Sequence, residues 1–128
     1  MQHSKHFSLA EALTILPTIK TVVEEIGRLK RQLNRKGYDV YKHQYFGGIG
    51  PNGQGVFPPD MEKLVLSVRE LNDQGIEIKD LEKGLIDFPH VRSNGEEVYL
   101  CYMLGEETIV AWHQIEGGFA ARRSVTEL

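Results

Sequence analysis

The hydrophobic pattern of this chain changes period once, at Gly75, and that change limits what it can fold into. Before it, apolar residues recur at steps of three and four, the spacing that lines one face of a helix. After it, they alternate or fall into short β-branched and aromatic blocks, the spacing of strands. Helices first and strands afterwards give an α+β protein: an antiparallel helical hairpin packed on a small, mainly antiparallel sheet.

The first helix is the best specified. Ser8-Leu-Ala-Glu11 is a capping box, in which the serine hydroxyl and the glutamate each satisfy a free amide at the helix start. Leu9, Ala12, Leu16, Ile19, Val23, Ile26 and Leu33 then form a coiled-coil-like seam, with Lys30 in the one slot that lacks an apolar residue. Pro17 lies inside the pattern and removes a helical hydrogen bond, so the spacing predicts a kinked helix over 8–36, with a kink or restart at Pro17 and a stop at Gly37. Residues 38–57 read as a glycine-rich loop, because 47–55 hold five glycines and a proline in nine residues. The loop lacks a phosphate-binding GxxxxGK[ST] pattern, and Tyr41, His43, Tyr45 and Phe46 are candidates for a lid. A second helix over 60–74 follows Pro58-Pro59, with Asp60 as its N-cap, Met61, Leu64, Val65, Val68 and Leu71 on one face and Gly75 just past its end.

Residues 76–128 supply the sheet and a C-terminal segment. Ile76–Lys79 alternates, Leu85–Phe88 is apolar and ends at Pro89, and Glu97–Met103 and Ile109–His113 are rich in strand formers, with Gly105-Glu-Glu as the turn between them. The chain of 128 residues is read as one domain, 1–128. Its net charge of −3 gives no global attraction to nucleic acid or an anionic membrane. The basic run Arg28, Lys30, Arg31, Arg35 and Lys36 is the kind that complements a helix C-terminus. One cysteine, no signal peptide and no apolar stretch long enough to span a bilayer lead to the expectation of a cytoplasmic protein. Val22 and Leu29 widen the apolar stripe of the first helix; either the sheet covers that width or a second copy does, as a homodimer through the helices.

The residues able to do chemistry crowd into the last third. Asp87, Glu106 and His113 offer oxygen and nitrogen ligands for a divalent transition metal such as zinc, with His90 and the sulfur of Cys101 near them in sequence. There is no CxxC, HExxH or HxH, so any site has to assemble from separate strands. On the last predicted strand His113 and Trp112 face opposite ways, and whether Cys101 meets His113 depends on a register in which one residue of slip reverses the faces. The favoured reading is a binding or regulatory protein with a polar pocket for a small polar or anionic ligand. Asp87, Glu106, His113 and Arg122 line it, and Cys101 and Trp112 form its wall. The alternatives are a metal-dependent, hydrolase-like enzyme using Asp87, Glu106 and His113, and an oligomeric interaction module. An internal Asp87–Arg122 ion pair is the purely structural account of the same residues.

Phe7-Ser-Leu-Ala-Glu-Ala12, Leu16-Pro17, Gly75, Ile78-Lys-Asp80, Gly84-Leu-Ile-Asp-Phe-Pro89, Leu100-Cys101, Leu104-Gly-Glu106, Trp112-His113, Gly118-Phe119 and Arg122 form a set spread over nearly the whole chain. By these residues the chain resembles the bacterial family catalogued as domain of unknown function 2203. The sequence departs from the family pattern at Tyr102, where tryptophan is usual, at Met103, where a basic residue is common, and at Ala121, where glycine often precedes the arginine. The resemblance implies a small cytosolic α+β protein and carries no activity with it.

Overall fold

A computed structural model describes residues 1–42, the backbone of 44–45, and residues 58–128. The glycine-rich stretch 47–55 and the lid assigned to His43, Tyr45 and Phe46 lie outside what it describes. Helix α1 spans Leu9–Arg35, and both hydrogen bonds of the Ser8–Glu11 capping box are formed, at 2.8 and 3.0 Å. The helix continues through Pro17 and does not restart there. Pro17 lies on the exposed side with Leu13 and Thr14, where water can hydrate the Leu13 carbonyl that the proline leaves without a donor. Lys30, in the seam, is 7% exposed; its stem is buried and its ammonium reaches Asn34 Oδ1 at 2.8 Å and Glu82 Oε1 at 3.0 Å.

Helix α2 spans Pro59–Asp73. Its N-cap is Pro58, with no side-chain capping bond, so Asp60 is not the cap. Asp60 sits in the first turn and takes the Lys36 ammonium at 2.8 Å, which ties the start of α2 to the end of α1. At the other end, Gly75 (φ +89°) lies against the Lys5 side chain just ahead of α1. The two helices are therefore antiparallel. Leu29 is fully buried and Val22 packs on the core, so the extra width of the α1 stripe is taken up within the chain. Among the described residues no helix is long and apolar enough to cross a membrane.

Part of the expected loop is structured: β1 (Tyr38–Asp39) and β2 (Gln44–Tyr45) pair as a small antiparallel hairpin. The main sheet has five strands in sequence order, β3 (Glu77–Asp80), β4 (Leu85–Val91), β5 (Glu97–Met103), β6 (Ala111–Gln114) and β7 (Arg123–Ser124), each antiparallel to its neighbour. Pro89 does not end β4. Its carbonyl accepts from the Phe7 amide at 2.7 Å, so that edge of the residue faces the N-terminal arm and not β5. The missing N–H thus falls outside the β4–β5 ladder. His90, expected in a loop, is in the strand, and its Nδ1 lies 2.7 Å from the Phe7 carbonyl. β6 begins at Ala111, because 104–110 form a longer connection than the turn at Gly105 implied.

Register separates the two faces. Pairing of Phe88 with Leu100 and of Leu100 with Trp112 puts these residues on the inner face with Ile86, Val98 and Tyr102. That face meets Leu16, Ile19, Val23 and Ile26 of α1 in the core. The outer face carries Asp87, Tyr99, Cys101, Ala111 and His113. An antiparallel sheet commonly leaves its outer face to water. Here all of these residues are buried.

Candidate functional site on the outer face of the sheet

Three neighbouring strands bring Asp87, Cys101 and His113 together. Asp87 in β4 pairs with Cys101 in β5, and Cys101 pairs with Ala111 in β6, one step along the face from His113. The register the sequence left open is therefore the one in which Cys101 and His113 share a face. A carboxylate oxygen of Asp87, Cys101 Sγ and a ring nitrogen of His113 all lie within 4.8 Å of one another. The three residues are 1%, 0% and 2% exposed.

Both ring nitrogens of His113 are engaged. Nδ1 is 2.7 Å from the Gln114 carbonyl, and Nε2 is 3.0 Å from Asp87 Oδ1. A carbonyl can only accept, so Nδ1 carries a proton and Nε2 is the nitrogen turned toward the cluster. Burial works to lower the pKa of His113, but the Asp87 hydrogen bond, the Gln114 carbonyl and the Asp87 charge outweigh it and raise the imidazole above its ordinary value. Burial, with the Asp87 charge behind it, pushes the Cys101 thiol up to about 12, so the free thiol is no nucleophile. Lys79 Nζ stands 3.8 Å from Asp87 Oδ2 and 4.7 Å from the centre of the Tyr99 ring.

Glu106 is not in this cluster. It lies at the end of β5, where Oε1 accepts from the Met103 amide at 2.8 Å and Oε2 takes Arg122 Nη2 at 2.8 Å. The metal set read from sequence thus changes, with Cys101 standing where Glu106 was expected. The ion pair expected between Asp87 and Arg122 is instead Arg122–Glu106, while Asp87 pairs with His113 and Lys79. Trp112 is not a wall of the site. It points to the inner face, fully buried, with Arg92 4.5 Å and Arg123 5.4 Å from its ring and Nε1 donating to the Ser124 carbonyl at 3.0 Å. Arg122 does belong to the outer face. Trp112 pairs with Arg123 across β6 and β7, so alternation turns Arg122, in extended backbone one residue before β7, to the side opposite Arg123. Its Nε is buried with no hydrogen-bond partner among the described residues.

The N-terminal arm covers one end of this face. His3 Nε2 meets Tyr99 Oη at 2.7 Å and Glu77 Oε2 at 3.2 Å, and the Tyr99 hydroxyl donates to Glu77 at 2.9 Å. Glu97 accepts from the Gln2 and His3 amides at 2.8 and 3.1 Å and meets His6 Nε2 at 2.6 Å. Burial works to raise the Glu97 carboxyl, but these bonds prevail and hold it down at about 2. The signal that could have found this was the alternation of Glu97, Tyr99 and Cys101 on one side of β5. Of the basic run on α1, Arg28 pairs with Glu25, Lys30 with Glu82 and Lys36 with Asp60.

The chain belongs to the family described as Uncharacterized conserved protein (DUF2203), whose model matches residues 5–125. No curated protein and no solved structure matches it.

Proposed function

We propose that this protein binds a transition-metal ion, of the zinc class, through Asp87, Cys101 and His113. The observation that carries the proposal is the convergence of one oxygen, one sulfur and one nitrogen ligand within 4.8 Å on a single buried face. That donor set suits zinc and its neighbours. The Nδ1 contact of His113 with the Gln114 carbonyl is the outer-shell bond that orients metal-binding imidazoles through Nε2. Tetrahedral zinc holds such ligands about 3.3–3.6 Å apart, given bonds of about 2.0–2.3 Å. The Asp87–His113 separation of 3.0 Å therefore has to open by a few tenths of an ångström as the ion replaces the shared proton. Protein ligands of this number leave a fourth position free, as in reactive zinc centres and not structural ones. Loading releases the Cys101 and His113 protons, so affinity rises with pH.

A second reading is a self-contained ion pair, which the short Asp87–His113 contact favours. Elemental mass spectrometry of untagged protein separates the two. Wild type is expected to carry close to one ion per chain, Cys101→Ala and His113→Ala to lose it, and Glu106→Gln to keep it. A His3→Ala/His6→Ala variant controls for the arm and should also keep it. A wild type that takes up no ion even when zinc is supplied, or Cys101→Ala and His113→Ala variants that retain it, overturns the metal reading and leaves the ion pair.

A further inference from the structure

Resting on that metal reading, we infer that the centre takes the carboxylate of a small organic acid, with a short apolar tail lying in the groove beside it. The carboxylate would meet the ion at its free position and Arg122 at its Nε.

Arg122 carries the first part. Its guanidinium is anchored from one side by Glu106 at 2.8 Å and faced by the Phe119 ring at 4.8 Å, which fixes its plane. Its Nε–H is nevertheless buried without an acceptor among the described residues. A buried donor left unpaired is unfavourable, and an arginine edge is shaped for a carboxylate. Continued one residue past the paired stretch of β7, the register sets Arg122 opposite His113, one of the ion's ligands.

The groove carries the second part. It has a volume of about 450 Å³ and is lined by Asp80, Lys83, Leu85, Met103, Leu104 and Phe119. Leu85 and Met103 are cross-strand partners, and each lies one step along the outer face from a member of the cluster, Leu85 from Asp87 and Met103 from Cys101. Phe119 lines the groove and also faces Arg122. The groove thus begins one step along the face from two of the ion's ligands, and Phe119 joins it to Arg122. One step along a strand face is about 6.6 Å, so a carboxylate at the centre places the fourth to sixth carbons of its chain on Leu85 and Met103.

Charge selects a monoanion. A divalent ion with the Asp87 carboxylate and the Cys101 thiolate is neutral, and Arg122 is offset by Glu106. Lys79, 3.8 Å from Asp87, and Glu77, the cross-strand partner of Asp87, also stand beside the cluster, and they offset each other at 3.3 Å. A buried dianion such as phosphate would be left partly uncompensated.

The test uses the full chain loaded with Co2+, whose ligand-field absorption reports on the ion's free position. The probes are acetate, butyrate, hexanoate and inorganic phosphate. Hexanoate is expected to bind at least about tenfold more tightly than acetate, and phosphate more weakly than either. Arg122→Gln is expected to keep Co2+ and lose about tenfold or more in hexanoate affinity. Arg122→Lys, which keeps the charge without the Nε donor, should lose it too, and Phe119→Ala should flatten the dependence on chain length. If Co2+ binds but the carboxylates leave the spectrum unchanged, or bind alike regardless of length or of Arg122, the inference is overturned and the metal reading stands. If Co2+ does not bind, or binds equally to Cys101→Ala, both are overturned.

Discussion

Removing either partner of the Asp87–His113 pair from metal-free protein should destabilise it, but by amounts that depend on pH in opposite directions. In His113→Ala the Asp87 carboxylate keeps the Cys101 thiol, a weak donor, and Lys79, 3.8 Å away on a side chain that is 38% exposed. It then remains as a buried, poorly paired charge, or it takes up a proton. For an aspartate that ordinarily ionises near 3.9, protonation at pH 7 costs about 4 kcal/mol, the ceiling on the electrostatic penalty. At pH 4.5 the same step costs only about 1 kcal/mol. In Asp87→Ala the buried group is an imidazole, which at pH 7 sheds its proton at almost no cost, so the penalty is about 1–3 kcal/mol for the lost bond and contacts. At pH 4.5 neutralising a histidine that ordinarily titrates near 6.5 adds about 2.7 kcal/mol. Asp87→Ala should therefore be the more stable variant by about 2–4 kcal/mol at pH 7, and that gap should vanish or reverse at pH 4.5. The comparison is between the two variants, so changes in the wild-type pair cancel. Urea unfolding followed by far-ultraviolet circular dichroism, in chelator at both pH values, measures it. A gap of the same size and sign at both pH values would refute the assignment of opposite charges to this pair.

Other perturbations test the frame around it. Glu97 is held near 2 against an unfolded value of about 4.5, so the stability it contributes is present above 4.5 and fades as pH falls toward 2; urea midpoints of Glu97→Gln should lack that part of the acid dependence. Gly84 has φ +66°, and an added Cβ would lie 2.5 Å from Leu104 Cγ and 2.8 Å from Val23 Cγ1. Gly84→Ala should thus cost about 2–4 kcal/mol of unfolding free energy, from left-handed backbone plus overpacking. Lys30→Met keeps the buried stem and gives up an ion pair with Glu82, which is 48% exposed; its stability should stay within about 1 kcal/mol of wild type by the same assay.

The front of the fold was legible because its signals are local. A capping box, a seam and a glycine past the helix end each act within a few residues, and α1 and α2 lie close to where they were expected. Pro89 misled because a missing N–H matters only on an edge that needs it, and the identity of that edge is set by the Phe7 arm from the far end of the chain. The site was legible in composition and not in partnership. Asp87, Cys101 and His113 were all singled out, but their union depends on two strand registers that periodicity leaves undetermined. Glu106 was grouped with them by proximity in sequence, whereas a bond to the Met103 amide holds it at the strand end. Trp112 was readable from alternation alone, since a neighbour of His113 on a strand must face the other way.

The outer face raises an energetic question that folding alone does not answer. Among the described residues the arm packs over one end of it, through His3 on Tyr99 and His6 on Glu97, and the face hides an acid, a thiol and an imidazole. Buried ion pairs are commonly no better for stability than apolar residues of similar volume, because desolvation offsets the attraction. If the cluster is there for its chemistry, replacing both charged partners at once should be tolerated where replacing one is not. Asp87→Leu/His113→Leu is expected to fall within about 2 kcal/mol of metal-free wild type in urea unfolding, while binding no zinc. The leucines remove the charges and fill most of the vacated volume, so neither an uncompensated charge nor a large cavity remains. A double variant that unfolds as readily as His113→Ala alone would mean that the pair holds strands β4 and β6 to β5 in its own right, and the case for a site built around chemistry would weaken accordingly.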